Sequence, residues 1–187
     1  MVRMKKVETN LKDAYLIKLE KYEDERGFFI QSFNIQEHHL PVLLQDNHSR
    51  SSKGVLRGLH YQIEHPQGKL IRCINGVIFD VIVDLRKSSS TFGKWFGIKL
   101  DRPELQLWVP PGFAHCFNTR SDAADVGYKT SDYYYPEHDR TLLWNDPDLG
   151  IVWGNDGEPV MSLKDKDGKS FKECDKYETR KHNVFEI

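Results

Sequence analysis

Apolar and polar residues alternate with a period of two along much of the chain. The clearest case begins at Val77, where every odd position to Leu85 is apolar and the even positions include Asp80 and Asp84. This alternation predicts a β-strand, because successive side chains of a strand point to opposite faces of the sheet. One face is expected to pack in a core, and the other to carry its carboxylates into either solvent or a barrel interior.

The same pattern predicts a series of short strands separated by turn-forming residues. They cover residues 14–19, 27–33, 55–62, 69–74, 77–85, 95–100, 106–109, 114–119 and 126–130. Asn75-Gly76 is the strongest two-residue hairpin signal in the chain, so the strands on either side of it are predicted to pair. Another strand is expected to begin at Val42 and to run into a polar segment rich in turn formers, residues 45–54.

Helical signals are weak throughout. One helical turn is predicted just before Pro41, and the chain after Pro136 is loop-rich and is expected to drape over the strands. Many short strands at close spacing are typical of a β-sandwich or β-barrel. The pattern therefore predicts an all-β protein, either a barrel or a jelly roll, with a polar interior, short helical turns and a loop-rich C-terminal tail.

Composition narrows the class of protein. The 187 residues, 39% hydrophobic and 29% charged, suit one domain, predicted over residues 1–187. The net charge is −1 and no basic block occurs, which argues against a nucleic-acid partner. No apolar run is long enough to cross a membrane and no secretory signal is recognisable, so a cytoplasmic protein with no membrane partner is expected.

Cysteine and histidine spacing gives no sign of a disulfide framework or of a metal site. The three cysteines, Cys73, Cys116 and Cys174, are far apart and are predicted to be reduced thiols. Cys116 follows His115, but neighbouring strand residues point to opposite faces, so a thiol nucleophile with His115 as its base is disfavoured. The eight histidines are scattered and contain no H-x-H pair, so no metal or other cofactor is predicted.

The stretch GVLRGLHYQIEHPQGKL, residues 54–70, is where we expect the chemistry. It places Arg57, His60 and Lys69 in an otherwise apolar and β-prone run, which is costly for a segment that only packs. The alternative is an edge strand whose polar residues face water. In a regular strand Arg57 and His60 would point in opposite directions, so we predict a local irregularity at Gly58 that brings them together.

Motifs across the chain resemble one family, the dTDP-4-dehydrorhamnose 3,5-epimerases, which act on nucleotide sugars. The similar segments follow the family's order: DERGFF (24–29), QDNHSRSSKGVLRGLHYQ (45–62), QGKL (67–70), DVIVDLRKSSSTFG (80–93), PPGFAH (110–115), YKTSDYYYPEH (128–138), WNDPDLGIVW (144–153) and SLKD (162–165). The resemblance implies a cupin-like jelly roll, a homodimer, no metal, and isomerase activity at C3 and C5 of dTDP-4-dehydro-6-deoxy-D-glucose.

The resemblance also implies a mechanism. A hydrogen on the carbon next to a ketone can be removed by a base on one face while cations hold the developing enolate. By position in the family motifs, His60 is the base, Asp165 orients it, and Tyr128 donates a proton from the opposite face. Asp167 is an alternative to Asp165, and a structural role is the alternative for His60 and Tyr128.

Further positions are assigned to substrate binding by the same resemblance: Arg26, Gln31, Gln45, Asn47, Arg57, Lys69, His115, Tyr134, Asp139 and Lys164. Lys69 and His115 are expected around the ketone and the diphosphate, and Tyr134 on the base. Gln31 and Asp139 stand where the family usually has glutamate, which leaves the base and the sugar open.

Other functions remain as alternatives. One is a 3-epimerase, or a 3,5-epimerase that acts on a different 4-keto-6-deoxy sugar nucleotide. From other classes, a metal-dependent cupin oxygenase is opposed by the missing H-x-H pair. A non-catalytic sugar-binding barrel is opposed by the presence of His60, Tyr128 and Asp165 together.

Overall fold

The computed structural model describes residues 4–154 and 157–178, which form two large antiparallel sheets and one small one. The six-stranded sheet contains, in spatial order, β1 (Lys5–Glu8), β2 (Tyr15–Lys18), β10 (Leu105–Val109), β7 (Lys69–Asn75), β12 (Ala123–Thr130) and β5 (Gln45–Ser52). The five-stranded sheet contains β13 (Asp139–Thr141), β6 (Leu56–Gln62), β11 (Phe113–Thr119), β8 (Ile78–Asp84) and β9 (Trp95–Leu100). A hairpin of β3 (Tyr22–Asp24) and β4 (Gly27–Phe29) stands apart.

Helices are short. They are α1 (Ile35–His38), a 3₁₀ turn (Pro136–His138) and α2 (Leu163–Lys166). The first is the turn predicted before Pro41, and the all-β class is confirmed. Within the described residues, no helix is long and apolar enough to span a membrane.

The predicted pairing across Asn75-Gly76 is wrong. A turn does form there, since Gly76 has φ of +85° and a Cβ on it would lie 2.2 Å from the carbonyl oxygen of Ala123. However, β7 belongs to the six-stranded sheet and β8 to the five-stranded sheet. The turn therefore carries the chain from one sheet to the other instead of closing a hairpin.

The strand expected at Val42 begins later than predicted. Residues 42–44 are irregular. The polar segment that follows them is rich in turn-forming residues, but it forms the edge strand β5. The side chains of β5 alternate between exposed and partly or fully buried, so polar residues face the interior of the fold. At the N-terminal side, the strand predicted over 27–33 is confirmed only as the short β4.

Strand β8 is buried on both faces. Ile78 and Ile82 pack between the two sheets, whereas Val81 and Val83 pack on the outer face beneath the C-terminal segment. Asp80, on the inward face, is fully buried, which places it in the barrel interior and not in solvent. Leu149 and Trp153 contribute to the outer core, confirming that the tail lies over the five-stranded sheet.

Candidate active site

A cavity of about 520 Å³ lies between the two sheets. Strands of the five-stranded sheet contribute Arg57, His60 and His115, and strands of the six-stranded sheet contribute Lys69 and Tyr128. Asp165, from α2, completes the inner part of the wall. A concave site of this size with a few convergent polar groups has the dimensions of a small-molecule pocket.

An irregularity at Gly58 brings Arg57 and His60 to the same face of β6. On the partner strand β11, His115 pairs with His60 and Phe117 with Arg57, so two residue steps on β11 face three on β6. Gly58 has φ of +121°, and a Cβ there would lie 2.4 Å from the carbonyl oxygen of His115. The predicted irregularity is therefore confirmed, and a bulge of this kind re-aims a side chain.

His60 is held by Asp165. Its Nε2 atom lies 2.5 Å from the Asp165 carboxylate, which is itself buried. Burial raises the pKa of Asp165, but hydrogen bonds from His60, from the Ser162 hydroxyl and from the Gly58 N–H outweigh it, and the net pKa falls below the usual value. The aspartate is thus a carboxylate that fixes Nε2–H on the imidazole and leaves Nδ1 free to accept a proton.

The local sequence explains how Asp165 is positioned. Ser162 caps the short helix α2 by accepting a hydrogen bond from the backbone N–H of Asp165 at 3.1 Å. The same hydroxyl donates to the Asp165 carboxylate at 2.8 Å. A serine three residues before an acidic residue is a helix-start signature, so SLKD encodes the turn that aims this side chain.

Tyr128 stands on the wall opposite His60. It lies on β12 in the six-stranded sheet, while His60 lies on β6 in the five-stranded sheet, and both line the cavity. Burial raises the pKa of the Tyr128 phenol, opposed by the nearby Arg57 charge. Tyr128 is therefore protonated at neutral pH and can donate a proton.

Lys69 and His115 line the innermost part of the wall. Lys69 is 8% exposed, its Nζ atom lies 3.4 Å from the carbonyl oxygen of His60, and burial lowers its pKa to about 8. Burial also lowers the pKa of His115, although Asp80 opposes the shift. The site therefore offers a buried ammonium and a neutral imidazole beside His60.

Three predicted residues form a connected group at the rim of the cavity. The Tyr134 hydroxyl donates to the Asp139 carboxylate at 2.9 Å, and Lys164 forms a short contact with the same carboxylate. The Tyr134 side chain remains half exposed, leaving its ring available to a ligand. Elsewhere on the wall, Arg57 Nε donates to the Ser51 hydroxyl at 2.8 Å.

Five of the predicted substrate-binding residues do not line this cavity; one is Lys164, which contacts the lining residue Asp139, and the others are Arg26, Gln31, Gln45 and Asn47. Arg26 lies on the exposed β3–β4 hairpin, pairs with Asp24 and is 85% exposed. Gln31 has a buried Oε1 atom with no hydrogen-bond partner among the described residues. Gln45 and Asn47 hydrogen-bond each other at 2.8 Å, and Asn47 pairs with Tyr128 across the strands.

Several residues at the site were not predicted. Asp80 lies behind His115, with its two oxygens each 3.0 Å from His115 Nε2. Ser49 lines the cavity, and its buried hydroxyl has no partner among the described residues. Two features of the sequence could have indicated these residues. Asp80 is one of the carboxylates at the even positions of β8, and Ser162 is the first residue of the helix-start motif SLKD.

Cys116 faces away from the cavity. It packs in the outer core with Leu59 and Ala114, whereas the adjacent His115 faces the cavity, as strand alternation predicts. All three cysteines are free and buried. Across the described part of the chain, no group of three or more His, Cys, Asp or Glu side chains is arranged to hold a metal ion.

A jelly-roll barrel with a histidine–aspartate pair facing a tyrosine across its interior defines a class of acid–base enzymes built on the cupin-like fold. The family model for dTDP-4-dehydrorhamnose 3,5-epimerase matches residues 8–173. The chain therefore belongs to this family, whose members are isomerases, and the predicted family and enzyme class are confirmed.

Individual relatives agree with this assignment. The dTDP-4-dehydrorhamnose 3,5-epimerase of Pseudomonas aeruginosa is 46% identical over 178 residues, covering 92% of this chain and 98% of that protein. The crystal structure of the enzyme with that name from Elizabethkingia anophelis superposes with a TM-score of 0.85 at 43% identity, covering 90% of this chain and 97% of that one. A dTDP-6-deoxy-D-glucose-3,5-epimerase from Legionella pneumophila in complex with dTDP-4-keto-L-rhamnose has a TM-score of 0.90 at 41% identity, covering 92% and 95%.

Proposed function

We propose that this protein converts dTDP-4-dehydro-6-deoxy-D-glucose into dTDP-4-dehydro-L-rhamnose by inverting C3 and C5. The observation that carries the proposal is the placement of a histidine base and a tyrosine acid on opposite walls of one cavity. Inversion requires a proton to leave one face of the sugar and another to arrive at the other face. The product bound by the Legionella relative supports this choice of substrate.

In the proposed mechanism His60 acts through Nδ1, because Asp165 occupies Nε2. The base takes the proton on C3, and the electron pair of the broken C–H bond moves into the C4 ketone to form an enolate. Lys69 stabilises the negative oxygen, a buried cation being most effective where water is excluded. Tyr128 then donates its proton to the opposite face of C3, and solvent restores both groups before C5 reacts in the same way.

Two parts of the cavity wall suit two parts of a sugar nucleotide, its diphosphate and its base. Arg57 presents a guanidinium held by Ser51, which suits a diphosphate through paired donors. Tyr134 presents a half-exposed ring on which a base can stack, with Asp139 and Lys164 beside it. Asp139 stands where the family usually has glutamate, so the rim is one carbon shorter there.

Arg26 and Gln31 enter the proposal only through a second copy of the chain. The β3–β4 hairpin that carries Arg26 exposes Phe28 and Phe29, which are 56% and 65% exposed, and it does not reach its own cavity. Aromatic side chains exposed together on a hairpin suit an interface. We infer a homodimer in which each hairpin supplies Arg26, and with it the nearby Gln31, to the cavity of its partner.

Deuterium exchange tests the reaction. The substrate is incubated with the protein in deuterated water, and the hydrogens on C3 and C5 are followed by NMR. Loss of both signals together with formation of the L-rhamno product is the expected result. Exchange at C3 alone would select a 3-epimerase, and no exchange at either carbon would reject this substrate.

A further inference from the structure

Asp80 is a carboxylate that the mechanism above does not use. It lies on the inward face of β8, is fully buried, and does not line the cavity. Both of its oxygens are 3.0 Å from Nε2 of His115, which does line the cavity. A buried carboxylate is costly unless it is paired, so this contact needs a reason beyond packing.

The contact determines which nitrogen of His115 carries the proton. A neutral imidazole has one N–H, and a carboxylate can only accept, so Nε2–H must donate to Asp80. Burial lowers the pKa of His115, which keeps the ring neutral. Nδ1 is thereby left as a hydrogen-bond acceptor on a residue that sits directly across the strand pair from the base His60.

Asp80 is linked to Lys69 through the two histidines, because Asp80 contacts His115, His115 pairs with His60, and the Lys69 Nζ atom lies 3.4 Å from the carbonyl oxygen of His60. Lys69 makes no salt bridge with any residue that the structure describes, so its charge is held by groups at longer range. Those groups are Asp139 and then Asp80, which favour the cation, and Lys164, which opposes it. The histidines His60 and His115 also lie close by. The charge of Asp139 is partly neutralised by its contact with Lys164, whereas Asp80 faces only a neutral ring.

We propose that Asp80 is a positioning residue of the epimerase: it fixes the ring of His115 and supplies the buried negative charge that keeps Lys69 a cation where the enolate forms. The inference rests on the proposed function for the role of Lys69. The effect of Asp80 on Lys69 and His115 does not depend on which substrate the protein binds.

The test compares two buried aspartates of the same strand. Asp80→Asn removes the charge near Lys69, while Asp84→Asn removes a charge that is paired with Arg86, away from the cavity. The alkaline limb of kcat/KM against pH reports Lys69, whose pKa of about 8 lies below that of Tyr128, which burial raises above 10. Asp80→Asn should move this limb to lower pH, because a negative charge that favours the Lys69 cation is lost, and Asp84→Asn should leave it in place.

A second measurement needs no substrate. The Lys69 amine is titrated by acetylation at a series of pH values and quantified by mass spectrometry, in wild type and both variants. The same downward shift is expected in Asp80→Asn alone. The proposal is overturned if Asp80→Asn folds but changes neither the alkaline limb of the kcat/KM profile nor the titration of the Lys69 amine. Asp80 would then have only a structural role.

Two measurements on the wild-type protein separate the role of Asp80 from the choice of substrate. If the wild type exchanges no sugar hydrogens, the proposed substrate is rejected, while the amine titration still tests the coupling. If Asp80→Asn does not fold, ¹⁵N NMR of the wild-type protein reads the His115 tautomer directly. A proton on Nε2 supports the proposal, and a proton on Nδ1 contradicts it.

Discussion

His60 and His115 lie directly opposite each other on β6 and β11, yet their Nε2 atoms contact different carboxylates. His60 contacts Asp165 from the C-terminal segment, and His115 contacts Asp80 from the neighbouring strand β8. The His60 side chain is 31% exposed and that of His115 is 9% exposed. The greater exposure of His60 is what the proposed mechanism requires, because the base must return its proton to solvent after each turnover.

Replacing the base should therefore stop the first proton transfer. We expect His60→Ala to abolish deuterium exchange at C3 and at C5, with a rate loss of at least about 100-fold. NMR in deuterated water measures both carbons at once. His48→Ala is the matched control, because it removes an exposed histidine of β5 that pairs with Asp125 of β12, and it should exchange at the wild-type rate. Full exchange in His60→Ala would place the base elsewhere.

Replacing the acid should separate exchange from inversion. In Tyr128→Phe the base His60 still removes a proton and can return deuterium to the same face, so exchange should persist while inverted product falls sharply. The two quantities are read from the same NMR spectra by comparing deuterium content with product formed. Equal losses of exchange and product would show that Tyr128 does not act after the base.

Tyr134 should affect binding more than chemistry. Loss of a stacked base is expected to cost about 1–3 kcal/mol, if stacking here has the strength it has in nucleic-acid complexes, and to appear mainly in KM. Tyr133 is the matched control, because it is equally exposed and adjacent, with 53% exposure against 51% for Tyr134. Steady-state kinetics of Tyr134→Ala and Tyr133→Ala measure the difference. An unchanged KM with a collapsed kcat in Tyr134→Ala would remove this residue from the base site.

Local patterns predicted most strand positions but not how the strands associate. Asn75-Gly76 specifies a turn through the positive φ at Gly76, and this part could be read from the sequence. The sheet that β8 joins depends on its pairing with β11, a strand far along the chain. Since β8 is apolar on both faces, its pattern fits either sheet equally well.

Strand β5 lacks the apolar alternation that predicts a strand. A half-buried strand is recognised by its apolar face, but the inward residues of β5 are polar. Ser49 lines the cavity, Ser51 accepts a hydrogen bond from Arg57, and Asn47 hydrogen-bonds Gln45. Polarity on the inward face removes the period-two signal. The motifs located the residues proposed to act in the cavity. For Asp80 the strand pattern predicted only that its carboxylate faces either solvent or the barrel interior.

Buried Asp84 should make stability depend on pH. Burial raises the pKa of Asp84, but hydrogen bonds from Arg86, Ser89 and Thr91 outweigh it, so the folded-state pKa is below the unfolded value. The group therefore contributes stability above pH of about 4, and the contribution is lost as pH falls through the folded-state pKa. Asp84→Asn should lower the free energy of unfolding at pH 7 by about 3 kcal/mol, measured by urea denaturation.

The difference between this variant and wild type should shrink as the pH falls below about 4, where Asp84 of the wild type becomes protonated. Lys172→Ala, which breaks an exposed ion pair with Asp148, is the control and should change stability by less than about 1 kcal/mol. A difference that stayed constant across this range would show that Asp84 contributes through packing and not through charge.

Subunit mixing tests whether Arg26 serves the cavity of a partner. His60→Ala has an inactive cavity but keeps Arg26 on its hairpin. Arg26→Ala has an intact cavity but lacks Arg26 on its hairpin. If each hairpin completes the partner's site, a mixed dimer contains one intact site, because the cavity of one variant meets Arg26 of the other. With random exchange of subunits, about a quarter of wild-type activity should return on mixing two impaired proteins. Light scattering should show twice the chain mass throughout. A monomer, or a mixture no more active than the sum of its parts, would contradict the shared site.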